Sequence, residues 1–566
     1  MDGVAISKID WKLALARVSQ DLRSDFIYAP HISFIYAKAG VELIDEVKSA
    51  LASGKYSPGV PVTIEVPKSF RIRVAVKPER LGPSFSRPGS ILLPHDRLLY
   101  QALADQATQI VAAKTDHTRS FSHRLGASDS VSMFLPTRTC WSALQSALSQ
   151  HSKGDRVKYI LKIDVANYFG SMNLHTLINV LNDSGYASEL SGRLEAVLTS
   201  YTSLRSSRGI LQGMFPSDLF GNFYMEPLDR FLNEYGVKAA RYVDDIYVFL
   251  DSVETAQKLL GQLIPKLRYY DLVLNEAKCM IIPKGQLQAE EPDLQSLFDD
   301  AVEEIRGQIE DEEFDADYGF QSEWEDEEED EDDDDEEEED LDLKATKLLF
   351  NSIGKYVGQE ENIERFCLPL FSKAESNYAL AHVLESFKKR PSMAQIYASY
   401  VAKFLDEKDV LDLLLELVVD AELSDWQKMW ILAALLQAVE HADASVKVAM
   451  DLLQDANRHE SLRAVAAIFV GRFGDHSRRL TLSSVYPTVS PYIQSAIYFS
   501  SRKWRKAERL TAKNNWGSHG QLNQLLTQAL EKEIEFIPML AQSAPYGAGL
   551  IIRLAVRGRL ANAQRR

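Results

Sequence analysis

Ala240-Arg241-Tyr242-Val243-Asp244-Asp245-Ile246-Tyr247-Val248-Phe249-Leu250-Asp251 sets two β-branched and aromatic arms around a polar centre, the pattern of two strands joined by a tight turn. Two adjacent carboxylates at a hairpin tip repel each other, an unfavourable arrangement unless a cation neutralises them. Side chains alternate along a strand, so only one of the pair easily shares a face with a third carboxylate. Upstream, Val157-Lys158-Tyr159-Ile160-Leu161-Lys162-Ile163-Asp164 reads as a short apolar strand that ends in an aspartate. Asp164, Asp244 and Asp245, carried on neighbouring strand ends, can hold two Mg2+ ions about 3.5–4 Å apart, with Mn2+ as a substitute. A lone Asp-Asp pair is common in surface turns, so the segments around it decide the reading.

Working outward, residues 156–290 alternate strand and helix signals. Ser217-Asp218-Leu219 through Tyr235 has helical period, with Ser217 after Pro216 as a start signal and Pro227 expected to kink or break it. Ser252 through Leu272 reads as a helix, and Cys279-Met280-Ile281-Ile282 as a strand. Earlier, Val62 to Pro78 alternates as a strand pair interrupted at Pro67, and 96–114 repeats at helical spacing with Asp96 as its N-cap. At 566 residues, with 45% hydrophobic and 10% aromatic content, the chain is expected to fold into two or three domains. The net charge of −19 is local: residues 325–340 are sixteen consecutive Asp and Glu, and −19 + 16 leaves −3 for the rest. Residues 291–341 are expected to be an acidic, disordered linker. From 342 to 566 almost everything reads as short amphipathic helices, with the rhythm of a degenerate HEAT-like solenoid. Three scattered cysteines, no leader-like start and no apolar run of spanning length make a cytoplasmic protein the expectation.

Four ordered segments resemble the palm of reverse transcriptases. Asp164-Val165-Ala166-Asn167-Tyr168-Phe169 matches the family's aspartate followed by aromatics. Gly209-Ile210-Leu211-Gln212-Gly213-Met214-Phe215-Pro216-Ser217 resembles its Gln-Gly loop, with Leu211 where many members have proline. Tyr242-Val243-Asp244-Asp245 follows, and then Leu274-Asn275-x-x-Lys278. The resemblance implies an α+β fingers–palm with a ferredoxin-like sheet, fingers over 1–110 and palm over 111–290, ahead of the all-α repeat domain. It implies an Mg2+-dependent nucleotidyltransferase of the RNA-directed DNA polymerase family. One ion would lower the pKa of an attacking 3′-hydroxyl and the other would hold the triphosphate and leaving pyrophosphate. The implied metal ligands are Asp164, Asp244, Asp245 and the backbone carbonyl of Val165. Phe169 would clash with a 2′-hydroxyl and select deoxynucleotides. Gly213 allows close backbone approach, Gln212 and Ser217 can bond template or nucleotide, and Lys278 can approach the triphosphate. Arg87-Pro88-Gly89-Ser90-Ile91 resembles a fingers segment whose arginine grips the triphosphate, with Arg73 and Lys77 as further candidates. His95 and His123, without carboxylate or cysteine partners in sequence, read as structural.

A palm followed by a long helical domain looks like the bacterial abortive-infection and defence-associated reverse transcriptases. That resemblance implies phage defence, template-independent or protein-primed DNA synthesis in some members, and oligomers built through the helical domain. Deoxynucleoside triphosphates and single-stranded DNA or RNA are the expected partners, with no membrane. Two other readings stand: a conventional RNA-templated reverse transcriptase, and a nucleic-acid-binding scaffold with a silent palm. Ser501-Arg502-Lys503-Trp504-Arg505-Lys506 interleaves cation and aromatic as single-strand binders do, or is a solvated helix face. The acidic run is either a tether or a mimic of nucleic acid that occupies a basic cleft.

Overall fold

The computed structural model describes residues 6–22, 25–68, 86–201, 206–287, 298, 301, 334–356, 360–407 and 409–532. Arg71, Arg73, Lys77 and the acidic residues 325–333 lie outside them. The amino-terminal region folds as helices α1 (Trp11–Asp21), α2 (Pro30–Lys38) and α3 (Gly40–Ala52). The antiparallel pair β1 (Val62–Pro67) and β2 (Ser86–Ile91) follows, in register Val62 opposite Ile91. The helix expected over 96–114 is two helices, α4 (Pro94–Asp105) and α5 (Thr108–Lys114). Its N-cap is Leu93, not Asp96; Pro94 with its preset φ occupies the first turn. Asp96 is buried one turn in, where it accepts bonds from the Tyr56 hydroxyl and the Gly59 N–H.

The palm begins with α6 (Thr137–Ser152) and β3 (Tyr159–Ile163). It continues through α7 (Tyr168–Ser171), α8 (Leu174–Asp183), α9 (Ser188–Tyr201), α10 (Phe215–Tyr224) and α11 (Glu226–Glu234), and ends in β4 (Lys238–Tyr242), β5 (Asp245–Leu250), α12 (Val253–Tyr269) and β6 (Met280–Pro283). The expected helix over 217–235 breaks at Met225, ahead of Pro227, and starts at Phe215 because Pro216 fits the first turn. The four strands form one antiparallel sheet in the order β4-β5-β3-β6. Strand alternation sorts its side chains. Leu161, Ile163, Ile246, Val248 and Leu250 join the main core, while Ile160, Phe249 and Ile282 meet Leu144 and Leu148 of α6 on the opposite face.

The carboxy-terminal region is helical throughout its described residues. Helix α13 (Asp334–Asn351) starts inside the acidic run, so helix begins seven residues before the expected linker boundary at 341. Phe298, also from that stretch, packs 5.4 Å from Phe366. Then come α14 (Glu360–Lys373), α15 (Leu380–Lys389), α16 (Ala394–Val401), α17 (Val410–Val419), α18 (Asp425–Leu435), α19 (Asp443–Gln454), α20 (Glu460–Phe473), α21 (His476–Val485), α22 (Pro491–Ser500), α23 (Lys506–Trp516) and α24 (Gly520–Lys532). Alternate members α14, α16, α18, α20, α22 and α24 stack side by side, and the intervening helices cover one flank of that row. This is the geometry of a helix-pair solenoid. Small residues let the inner row close up: a Cβ on Gly471 of α20 would lie 2.0 Å from Ser500 Oγ of α22. Every residue of α16 is buried, as is every residue of α18 after its first, because the fingers cover the row's remaining face. None of the described helices is long and apolar enough to cross a membrane.

That cover is specific. Trp426 and Trp430 both donate their indole N–H to the carbonyl of Phe26, at 2.7 and 3.3 Å. Gln395 donates to Asp25 O at 3.2 Å, and His459 Nε2 meets Thr63 O at 2.8 Å. Phe34 packs edge-on to Phe499, and His31 edge-on to Tyr492. Beneath, buried Arg97 pairs with Asp21 and Asp25 at 2.6 and 3.0 Å. Two carboxylates share one guanidinium, and burial pushes the Asp25 carboxyl up to about 7 against the pull of Arg97. Trp426→Ala empties a fully buried indole and removes one of the donors to Phe26 O. We expect it to cost about 3–5 kcal/mol, measured by urea unfolding followed by circular dichroism, with fingers and helical domain losing structure together.

Candidate active site

Asp164 directly follows strand β3 and is 5% exposed. Its backbone carbonyl accepts the Asn275 N–H at 2.8 Å, and Lys278 Nζ lies 2.6 Å from its Oδ1. Lys278 is held there by a turn in which its N–H bonds Asn275 O. Asp244 sits at the hairpin tip. Burial raises its carboxyl above the usual range, its own backbone N–H opposes this, and the neighbouring charge of Asp164 adds to the rise. Asp245 stands opposite Tyr242 as the pair that closes the hairpin.

The tip is strained and pinned. Val243, β-branched, takes φ +54°, a region such residues rarely enter. Its N–H donates to Ser122 Oγ and its carbonyl accepts from Arg241 Nη1, each at 2.8 Å. Arg241 is itself buried and grips Asp229 with Nε and Nη2 (3.0 and 2.6 Å), while Nη1 also reaches Asn222 Oδ1 at 2.9 Å. Asn222 completes the set by bonding Ser122 O at 3.0 Å. None of Arg241, Asn222 and Asp229 stands out as a functional residue in the sequence. The available signal was a lone Arg before the Asp pair, with a polar Asn-to-Asp heptad inside an apolar helical stretch.

The residues fit a magnesium site of modest protein donation. Among the described residues no three His, Cys, Asp or Glu side chains gather into a closed metal cage; Asp164 follows strand β3, and Asp244 and Asp245 stand at the tip of the neighbouring hairpin. Asp164 is close enough for its charge to raise the Asp244 carboxyl, and Mg2+ is commonly bound by one or two carboxylates plus substrate phosphates. Val165 bridges Leu274, with Ala166 N bonding Val273 O and Asn275 N bonding Asp164 O. In that pattern Val165's own carbonyl points away from Leu274, leaving it on the inner side of the loop.

Phe169 is half-buried and caged. Its ring meets Tyr168 edge-on at 5.4 Å, and Tyr168 OH donates to Gly221 O at 2.5 Å. A Cβ on Gly221 would come within 2.7 Å of Phe169 Cε1. The Phe169 carbonyl accepts from Ile210 N at 2.9 Å, tying the first motif to the Gln-Gly loop. In that loop Gln212 is half-buried and Gly213 has φ +78°, a conformation that suits glycine. A Cβ there would strike Phe26 at 2.7 Å. Ser217 is buried and bonded to the Tyr100 hydroxyl at 3.1 Å, so the nucleotide contact expected of it is replaced by a structural one. The Arg87 guanidinium lies over the other partner of this junction, the Phe26 ring, 4.8 Å from its centroid. Lys278 lies on Asp164 as described. His95 pairs with Glu46, and His123 packs against Phe134 with its pKa lowered to about 4 by burial; both are structural, though each has a carboxylate nearby. In the basic stretch at 501–506, Trp504 donates to Gly471 O and Arg502 covers Phe499, both turned inward, while Lys503, Arg505 and Lys506 are exposed.

Residues 77–293 match the family described as reverse transcriptase (RNA-dependent DNA polymerase). The match marks a reverse transcriptase domain, and with it a nucleotidyltransferase of the RNA-directed DNA polymerase class. Among solved structures the chain is similar to apo telomerase from Candida tropicalis, at 9% identity over 86% of this chain and 73% of that one, TM-score 0.27. It is also similar to telomerase from Candida albicans in complex with a fragment of telomeric RNA, at 11% identity, 83% and 69% coverage, TM-score 0.26. Superpositions this loose carry no argument. No curated protein matches the chain.

Arg241→Ala strands the Asp229 carboxylate in the core and frees the Val243 carbonyl. We expect a loss of about 3–5 kcal/mol in chemical denaturation, several-fold more than truncation of an exposed arginine such as Arg230.

Proposed function

We propose that this reverse transcriptase domain is an Mg2+-dependent DNA polymerase that adds deoxynucleotides to a 3′-hydroxyl, with Asp164, Asp244 and Asp245 as its catalytic carboxylates. The observation that carries the reading is the proximity of Asp164 and Asp244, one at a strand end and one on a pinned hairpin tip, with Lys278 beside them. Asp164, Asp244, Asp245 and the Val165 carbonyl would hold the metal; when bound, Mg2+ acidifies the attacking hydroxyl and balances the charge of the triphosphate. Lys278 adds a cation for the phosphates. Gly213 keeps the loop backbone close to the nucleotide, Gln212 bonds it, and Arg87 serves the triphosphate from the fingers side. Phe169 closes the space that a ribose 2′-hydroxyl would need.

We read the biological role as phage defence of the abortive-infection kind, in the cytoplasm, with template-independent or protein-primed synthesis and oligomers formed through the helical domain. Its support is the succession of a palm and an all-helical solenoid that docks on the fingers through Phe26. The description of the matching family favours a second reading, ordinary synthesis on an RNA template. Purified protein incubated with labelled deoxynucleotides and Mg2+, without nucleic acid and then with an RNA template and primer, separates the two on a denaturing gel. Product in the first arm supports template independence, and product only in the second supports RNA copying. Asp164→Ala and Asp244→Ala should reduce either product to background while exposed Lys389→Ala leaves it intact; incorporation surviving both aspartate changes would sink the polymerase assignment.

The cage around Phe169 yields a second expectation. Phe169→Ala should improve ribonucleotide use relative to deoxynucleotides by about tenfold or more. Gly221→Ala pushes the ring away from Tyr168 and Gly221, toward the cleft, and should raise KM for deoxynucleotides. That increase should vanish in the Phe169→Ala background, a coupling that steady-state kinetics on the four proteins measures directly.

A further inference from the structure

The sheet face that bears the carboxylates has a second row of side chains below them. Residues directly opposite in an antiparallel sheet share a face, as do residues two apart along a strand. Lys162 stands opposite Tyr247 on one side and Met280 on the other. Lys162 is two residues before Asp164, and Tyr247 is two after Asp245. This row therefore lies about 6.6 Å from the carboxylates, on the same face. Lys162 Nζ is 5.7 Å from the centre of the Tyr247 ring. Tyr242, which shares the face through its pairing with Asp245, meets the Trp141 ring edge-on at 5.2 Å. Trp141 comes from the first turns of α6, whose later residues Leu144 and Leu148 seal the lower part of the face over Ile160, Phe249 and Ile282. The sealed part is buried, whereas Trp141, Tyr242, Lys162 and Met280 are each half-exposed.

We propose that this ledge seats the 3′-terminal nucleotide of a single nucleic-acid strand, with its base against Trp141 and Tyr242 and its phosphate on Lys162. The proposal rests on the polymerase reading and specifies how the strand reaches the carboxylates. The opposite face of the sheet is packed into the main core, so this face is the one along which a strand can lie to bring its hydroxyl to the carboxylates. Alternating aromatic and cationic side chains are what a single strand needs, since every base has a stacking face and every phosphate a charge. Helix α6 fills the floor beyond the ledge, which leaves room for a strand end and blocks a duplex laid along the sheet.

The test uses the full chain and a 5′-labelled twelve-residue oligodeoxythymidine, with binding followed by fluorescence anisotropy across a salt series and without deoxynucleotides. Trp141→Ala should weaken binding about tenfold, and Trp141→Phe should retain most of the affinity. Lys162→Gln should lower the slope of log affinity against log salt by about one. A blunt hairpin duplex should bind more weakly than the single strand and be indifferent to Trp141. Wild-type affinity and salt slope in folded Trp141→Ala and Lys162→Gln would overturn the proposal. If Trp141→Ala fails to fold, the Trp141→Phe and Lys162→Gln pair decides: unchanged slope and affinity in Lys162→Gln overturns it. The polymerase reading fails separately, by absence of Asp244-dependent incorporation in the wild-type chain. Incorporation with an unchanged KM for the strand in both ledge variants would keep the polymerase and remove the ledge.

Discussion

A single buried guanidinium underlies the geometry of the site. A two-residue hairpin that must present a carboxylate at its tip forces the preceding residue to a positive φ, and here that residue is Val243. Nothing intrinsic to valine favours this, so both of its backbone polar groups have to be held from outside. Arg241 supplies one contact and fixes the Ser120–Ser122 segment and Asn222 that supply the other. The same guanidinium is neutralised by Asp229 at the start of the next helix. Helix α11, the loop at 120–122, helix α10 and the hairpin are thereby keyed to one another through five donors. The frame that carries Asp244 is buried and charge-balanced.

The fingers and the helical solenoid meet on an equally concentrated feature. The Phe26 carbonyl takes two indole donors from one helix, while its ring separates Gly213 from Arg87. A residue whose ring packs on the Gln-Gly loop is thus bonded through its backbone to the carboxy-terminal domain. Arg87 also feels the charges of Arg365 and Glu361 on α14. The helical domain is therefore packed directly against the residue that the Gln-Gly loop and Arg87 both rest on.

Much of the palm was readable because its signals are local. Short apolar runs in 157–164 and on either side of the Asp pair in 240–250 mark the strands, Pro216 and Pro227 mark the helix start and break, and Asp164 and the Asp pair stand out as polar ends of apolar runs. Errors came where identity depends on tertiary context. Ser217 resembles a substrate contact until Tyr100, more than a hundred residues away, takes its hydroxyl. Asp96 has the position of a cap but is captured by Tyr56 and Gly59. Trp504 and Arg502 look like a basic aromatic surface but turn inward onto Gly471 and Phe499. The helix pairs of the solenoid were visible in period, whereas their docking on Phe26, Asp25 and Thr63 spans 370 to 404 residues and leaves no trace in any local window.

The long sequence span of that docking has a consequence for synthesis. At about 5–20 residues per second, the ribosome needs about 20–80 s to add the four hundred or so residues that separate Phe26 from Trp426. Throughout that interval the amino-terminal helices must wait with Ile27, Phe34 and their neighbours facing water, although in the finished molecule they are buried. A chain halted before α18 would carry the intact carboxylates but keep an adhesive apolar flank. Such a product is a natural target for chaperones and proteases, so the final helices act as a completeness check on the polymerase made before them.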